Sequence, residues 1–225
     1  MNKTISLSFC LVLLFSVAAF GQTEMFAKKN LADWDFHVDQ EGVKVEDVFA
    51  FTDAGVLTCK GEPFGWLGTK ERYKNFKLTL EYRWPEGVKP TNSGIFVRLT
   101  HQKKETFLPR TIEVQLAHGS AGDLWGFHGF SLPAPTTCDT ARISWRDGGE
   151  KLGIMMGVKR IVAAENEPGK WNAMEIVCSE GLIIVTMNGK IANWVTGVEQ
   201  TPGKIGFQSE GGPIEFKNAM LTVLP

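Results

Sequence analysis

Between Phe76 and Trp84 the chain alternates without interruption. Phe76, Leu78, Leu80, Tyr82 and Trp84 fall on one side, and Lys77, Thr79, Glu81 and Arg83 fall on the other. A period of two belongs to an extended strand with one face buried, because successive side chains leave a strand on opposite sides. A helix would scatter this apolar set around its whole circumference. The segment therefore commits its part of the chain to a sheet that has a core on one side.

The same alternation returns further on. In Asn92–Arg98, Ile95 and Val97 share a face with Ser93, and Asn92, Gly94, Phe96 and Arg98 share the other. In Thr111–Leu116, Ile112, Val114 and Leu116 point one way, and Glu113 and Gln115 the other. Leu182–Met187 is apolar on both faces, as expected of a central strand, and it runs into Asn188-Gly189, the preferred two-residue hairpin turn. Lys204–Glu210 and Ile214–Leu224 read as two more strands joined through Gly211-Gly212-Pro213. With 24 Gly and 10 Pro punctuating these runs and no long helical period, the pattern is all-β, with two antiparallel sheets packed face to face. At 225 residues and 43% hydrophobic content the chain can bury a sizeable core in one domain, placed at 22–225. A formal net charge of −1 argues against a nucleic-acid surface, which needs a basic field.

The N-terminus reads as an export signal over residues 1–21. Lys3 supplies the positive start, Ile5 to Phe20 is nearly all apolar, and Ala19 and Gly21 put small residues before a cleavage point at Gln22. The run is short for a membrane span and no second one follows, so the expectation is a periplasmic or extracellular chain without an integral membrane segment. Cys10 follows bulky Phe9, where lipid attachment wants a small residue. Cys59, Cys138 and Cys178 remain after cleavage; they leave room for one bridge or for three buried thiols, and show no metal-ligand spacing.

Candidate chemistry lies on a strand face. Glu113 and Gln115 leave the same side of one strand, opposite Ile112 and Val114. Asn92 and Arg98 lie on the non-core face of a second strand, and Glu81 and Arg83 on that of a third; if these strands adjoin, a polar patch suited to a hydroxyl-rich ligand results. The alternation is equally that of an ordinary solvated face. Trp66 and Trp125 sit in Gly-rich segments, where an indole can stack on a sugar or plug the end of a sandwich. His118 and His128 are candidate proton carriers in loops. Only one acid faces outward on the Glu113 strand, and nothing in the sequence pairs it with Asp123, Glu81 or Glu210, so a two-carboxylate glycosidase is not supported.

Several segments, taken in order, resemble a known family. They are Gly65-Trp66-Leu67-Gly68-Thr69, Tyr73-Lys74-Asn75-Phe76, Glu81-Tyr82-Arg83-Trp84, Asn92-Ser93-Gly94-Ile95-Phe96-Val97-Arg98 and Ile112-Glu113-Val114-Gln115. Gly169-Lys170-Trp171-Asn172, Asn188-Gly189, Gly203-Lys204-Ile205-Gly206-Phe207-Gln208 and Phe216-Lys217-Asn218 follow. The chain resembles the 3-keto-disaccharide hydrolase family, also described as 3-keto-glucoside 1,2-lyase/2-hydroxyglucal hydratase domains. The resemblance implies a concanavalin A-like jelly roll of the lectin/glucanase type and a carbohydrate substrate. It also implies removal of the C2 hydrogen of a 3-keto-glycoside, loss of the C1 oxygen and addition of water. In that scheme Glu113 or His118 is the base and Arg98 stabilises the enolate oxygen. Asn92 and Gln115 orient hydroxyls, with Trp66, Trp125 and Gln208 as further sugar contacts. A divalent cation held by Glu113 and other oxygen ligands is compatible with the scheme, although no spacing demands it and no cofactor is certain. An acid often follows the Glu-x-Gln strand in the family, where this chain has Ala117-His118, and Trp125 stands at a position that is often Tyr. The alternative is a noncatalytic carbohydrate-binding module of the same fold.

Overall fold

A computed structural model describes residues 21–101, 106–132 and 140–225. The apolar N-terminal run and Cys138 lie outside the described residues. Sixteen strands form in chain order. The first eight are β1 (Gln22–Glu24), β2 (Trp34–Val38), β3 (Phe49–Phe51), β4 (Leu57–Cys59), β5 (Gly65–Thr69), β6 (Phe76–Arg83), β7 (Gly94–His101) and β8 (Arg110–Gln115). The second eight are β9 (Leu124–Gly126), β10 (Ile143–Asp147), β11 (Ile154–Val158), β12 (Asn172–Ser179), β13 (Leu182–Met187), β14 (Lys190–Val195), β15 (Lys204–Ser209) and β16 (Ile214–Val223). Two one-turn helices, α1 (Val45–Val48) and α2 (Gly149–Leu152), sit in connections.

The strands build two antiparallel eight-stranded sheets, a jelly-roll sandwich. One sheet runs β14-β13-β12-β6-β16-β4-β3 with β1 added on β16; the other runs β10-β11-β9-β8-β7-β15-β5-β2. The alternation in β6 is realised in full, with Phe76, Leu78, Leu80 and Tyr82 buried. From the second sheet Ile95, Val97, Ile112, Val114 and Phe207 enter the same core. Phe207 and Phe216, one from each sheet, meet edge to face with centroids 5.0 Å apart, and Phe26 packs on Phe207 at 5.4 Å. Leu182–Met187 pairs with β12 and with the edge strand β14; Ile183, Val185 and Met187 are buried in the core, while Leu182, Ile184 and Thr186 on the other face are half-buried, and Asn188 and Gly189 both take the positive φ of a tight hairpin turn. Cys59 and Cys178 are buried free thiols, and burial pushes their pKa up to about 11 and about 12.

The topology corrects one expectation. Glu81 and Arg83 lie on β6, in the sheet opposite Glu113, so they cannot share a patch with it. Their outer face is an ion-pair surface: Arg83 Nε donates to Glu215 at 2.6 Å, and Lys217 lies 3.4 Å from Glu81. Among the described residues no helix is long and apolar enough to cross a membrane.

Because Phe207 joins the two sheets with no exposed surface, Phe207→Ala is expected to destabilise the chain by about 3–5 kcal/mol, read as a lower denaturant midpoint at unchanged slope.

Candidate active site

The site forms on the outer face of the second sheet. On β8 the core-facing residues are Ile112 and Val114, so Glu113 and Gln115 face away from the core. Register carries this row across the sheet: Ser144 pairs with Gly157, Gly157 with Trp125, Trp125 with Glu113, Glu113 with Phe96, and Phe96 with Gly206. The face is curled. β2 and β10 are the two edge strands, yet His37 on β2, Asp39 just after it, and Gly148, Lys151 and Leu152 beyond β10 line one cleft of about 830 Å³.

Part of that face is closed by apolar side chains. Trp66, Phe96, Leu99, Leu108, Phe127 and Met155 form a second cluster, with Phe107 and Leu152 packed on it. Trp66 is only 5% exposed and stacks on His37 at 5.8 Å. Both tryptophans lie over glycines: a Cβ at Gly68 would come within 3.0 Å of the Trp66 ring, and one at Gly157 within 2.8 Å of the Trp125 ring. Trp66 is thus a plug. Trp125 is half-buried at the open part of the face, with the Arg146 guanidinium carbon 4.9 Å from its centroid.

The polar centre is Glu113 with Glu210. Glu113 is 2% exposed although it points away from the core. It fits because Gly94 leaves room: a Cβ there would overlap the Glu113 carboxylate and lie 2.9 Å from Gln208 Oε1. Gln208 Nε2 donates to Glu210 Oε2 at 2.6 Å, and the Asn92 side chain also hydrogen-bonds Glu210. Gln115 turns its carbonyl back to accept from Leu116 and Ala117 N–H at 2.9 and 2.8 Å, which leaves its amide nitrogen as the part able to meet a ligand. Asn92 Oδ1, Glu113 Oε1 and Gln208 Oε1 are buried without partners. Three orphaned acceptors in one place call for donors, which sugar hydroxyls supply. Burial, then the charge of Glu210, pushes the Glu113 carboxyl well above the usual range, against the pull of Arg146. Burial likewise lifts Glu210 to about 7, opposed by Asn92, Gln208 and Arg146. Two such carboxyls hold a proton near neutrality and can exchange it with a ligand. The oxygens of Glu113, Asn92 and Gln208 also suit a hard cation completed by substrate or water oxygens, rather than zinc.

Asn92, Glu113, Gln115 and Gln208 are therefore brought together, with Trp125 beside them. Three candidates are not: Trp66 is the plug, and Arg98 and His118 turn away. A bulge follows Val97, and Arg98 adopts φ +55°. Its side chain leaves the site face and is 0% exposed; Nη1 donates to the Thr201 carbonyl at 3.2 Å, and its charge acts on Cys178 in the opposite sheet. Leu99 takes its place beside Phe96. His118 turns to the end of the sandwich, where Nδ1 lies 3.1 Å from Glu165 Oε2. Glu165 also accepts from Gly119 N–H, Trp84 Nε1 and Tyr82 Oη. Of the acids left open as partners for Glu113, Asp123 accepts from Arg160 and Glu81 lies in the other sheet, so the pairing falls to Glu210. Ser144 and Arg146 were not singled out in the sequence, although Ile143-Ser144-Trp145-Arg146 places them on one strand face.

A carboxyl raised by folding favours the protonated native state, so its stabilising effect is complete below the unfolded value near 4.5 and is lost as pH rises through about 7. For Glu210 this amounts to about 3 kcal/mol. Wild type is expected to lose more thermal stability between pH 4.5 and 7 than Glu210→Gln does, measured by melting both across that range.

Comparisons with known proteins agree with this fold. A candidate glycosyl hydrolase from Parabacteroides distasonis ATCC 8503 superposes with a TM-score of 0.59 at 21% identity, covering 91% of this chain and all of that one. The β-glucanase of Bacillus licheniformis gives 0.55 at 11% identity, with 93% of this chain and all of the glucanase covered. The carbohydrate-binding module CBM66 of Bacillus subtilis gives 0.55 at 8% identity, covering 84% and 95%. No curated protein matches the sequence. A family match spans residues 21–222, and the chain belongs to the 3-keto-alpha-glucoside-1,2-lyase-like domain family.

Proposed function

We propose that this chain cleaves 3-keto-glycosides by elimination across C1 and C2, with Glu113 and Glu210 moving the protons. The observation that carries this reading is the pair of a buried Glu113 and a half-buried Glu210, both raised in pKa, beside three unpartnered acceptor oxygens. A ketone at C3 acidifies the C2 hydrogen. The ionised member of the pair takes that proton, and the C–H electrons form an enolate with its charge on the C3 oxygen. As the C3 carbonyl re-forms, the electron pair moves into a C1–C2 double bond and the C1–O bond breaks. The leaving oxygen takes a proton from the protonated carboxyl. The products are an alcohol and a 2-hydroxy-3-keto-glucal, to which water can add across C1 and C2 to give the 3-keto sugar. Burial suits the pair to this work, since a proton carrier acts best with a pKa near the working pH. Asn92, Gln115 and Gln208 orient hydroxyls, and Trp125 borders the ring. Glu113 and the amide oxygens of Asn92 and Gln208 would hold a hard cation, which would supply polarisation of substrate oxygens; the proton transfers belong to the chain's own residues. The apolar N-terminal run supports an exported enzyme meeting its substrate outside the cytoplasm.

The same pair supports a second reading, hydrolysis of ordinary glycosides by two carboxyl groups. Product NMR separates the two. The purified chain is expected to convert 3-keto-glucosides and leave the unoxidised glucosides intact; cleavage of both at equal rate would favour the second reading. Saturable binding without any product would assign a noncatalytic module. Glu113→Gln is expected to lose about 10²–10⁴ in kcat while KM stays within a few-fold, and full turnover by that variant would remove Glu113 from the mechanism.

A further inference from the structure

Resting on the elimination chemistry above, we infer that Arg146, held flat on Trp125, is the cation that stabilises the enolate oxygen. The site needs positive charge where the C3 oxygen becomes anionic. Lys151 lines the cleft between the sheet edges, and four other cations are engaged elsewhere. Arg98 has turned into the sandwich. Lys204 is tied to Asp35, Arg110 pairs with Glu199 at 2.7 Å, and Arg160 with Asp123 at 3.2 Å. Arg146 makes no hydrogen bond or ion pair with a described residue. It is the cation whose charge reaches both members of the carboxyl pair.

Its position is built. Trp125 is the cross-strand partner of Glu113, and its indole leans over Gly157 of β11 toward β10, the strand that carries Arg146. The indole is pinned against Gly157, where any Cβ would collide with it at 2.8 Å. The guanidinium rests on the indole at 4.9 Å, a cation–π contact that fixes its plane and leaves its N–H donors open. Arg146 stands on the edge strand β10, exposed at the mouth of the site. The negative charge passes from the base to the C3 oxygen as the enolate forms, and a donor aimed at that oxygen stabilises the transition state more than the ground state.

The test is kinetics on a 3-keto-glucoside with wild type, Arg146→Gln, Arg146→Lys and Arg146→Ala. Arg146→Gln is expected to lose about 10²–10³ in kcat/KM, mostly in kcat. Arg146→Lys should retain part of the rate, and added guanidinium ion should partly restore Arg146→Ala at a concentration that leaves wild type folded. Arg146→Gln within threefold of wild type would overturn the assignment. So would a rate loss with no guanidinium rescue, the mark of a merely structural role. Wild type active with Arg146→Gln unimpaired removes Arg146 alone; wild type without turnover removes the elimination reading along with it.

Discussion

Everything on the outer faces of this sandwich depends on the inner ones. Packing Phe76, Leu78, Leu80 and Tyr82 against Ile95, Val97, Ile112 and Phe207 fixes which way each alternate side chain points. A shift of one residue along any strand would exchange core and surface together, so register is strongly determined wherever this core exists. Glu113 faces the site because Ile112 and Val114 cannot leave the core, and Gln208 does so because Phe207 cannot.

That constraint places the carboxyls, and the absence of side chains at chosen points lets them stay. Gly94 opens the space that Glu113 and Gln208 occupy, and Gly157 and Gly68 let two indoles lie flat on the sheet. The result is a site that costs stability at neutral pH. Glu113 is held out of water with one oxygen unpartnered, beside the half-buried Glu210, an arrangement a purely structural sheet face would not need. The apolar cluster around Trp66 closes the neighbouring part of the face, keeps solvent from the pair and leaves Trp125 and Arg146 at the open side.

The strands, their faces and the Asn188-Gly189 turn were legible in the sequence because a period of two and a turn dipeptide are local signals. The neighbours of a strand are not local. Glu81-Arg83 and Glu113-Gln115 show the same alternation, yet one pair lies in each sheet. Glu210 reaches Glu113 only through the pairing of β15 with β7 and β7 with β8, and so it stood beside Asp123 and Glu81 as an equal candidate. The placement of Arg98 was not legible for a different reason. The bulge that turns it inward needs a positive φ, and an arginine at that position carries no glycine-like sign of one. Trp66 and Trp125 looked alike in Gly-rich segments; His37 on one and Arg146 on the other separate a plug from a site wall.

The central claim is that Glu113 and Glu210 form one buried, proton-holding pair. Carbon-13 NMR of glutamate side-chain carboxyls, titrated in wild type, Glu113→Gln and Glu210→Gln, tests it directly. The expected result is a carboxyl signal that keeps its proton to near pH 7 in wild type and changes its titration in each variant. Glutamates that all titrate at about 4.3, the ordinary value, and are unaffected by either substitution would contradict it.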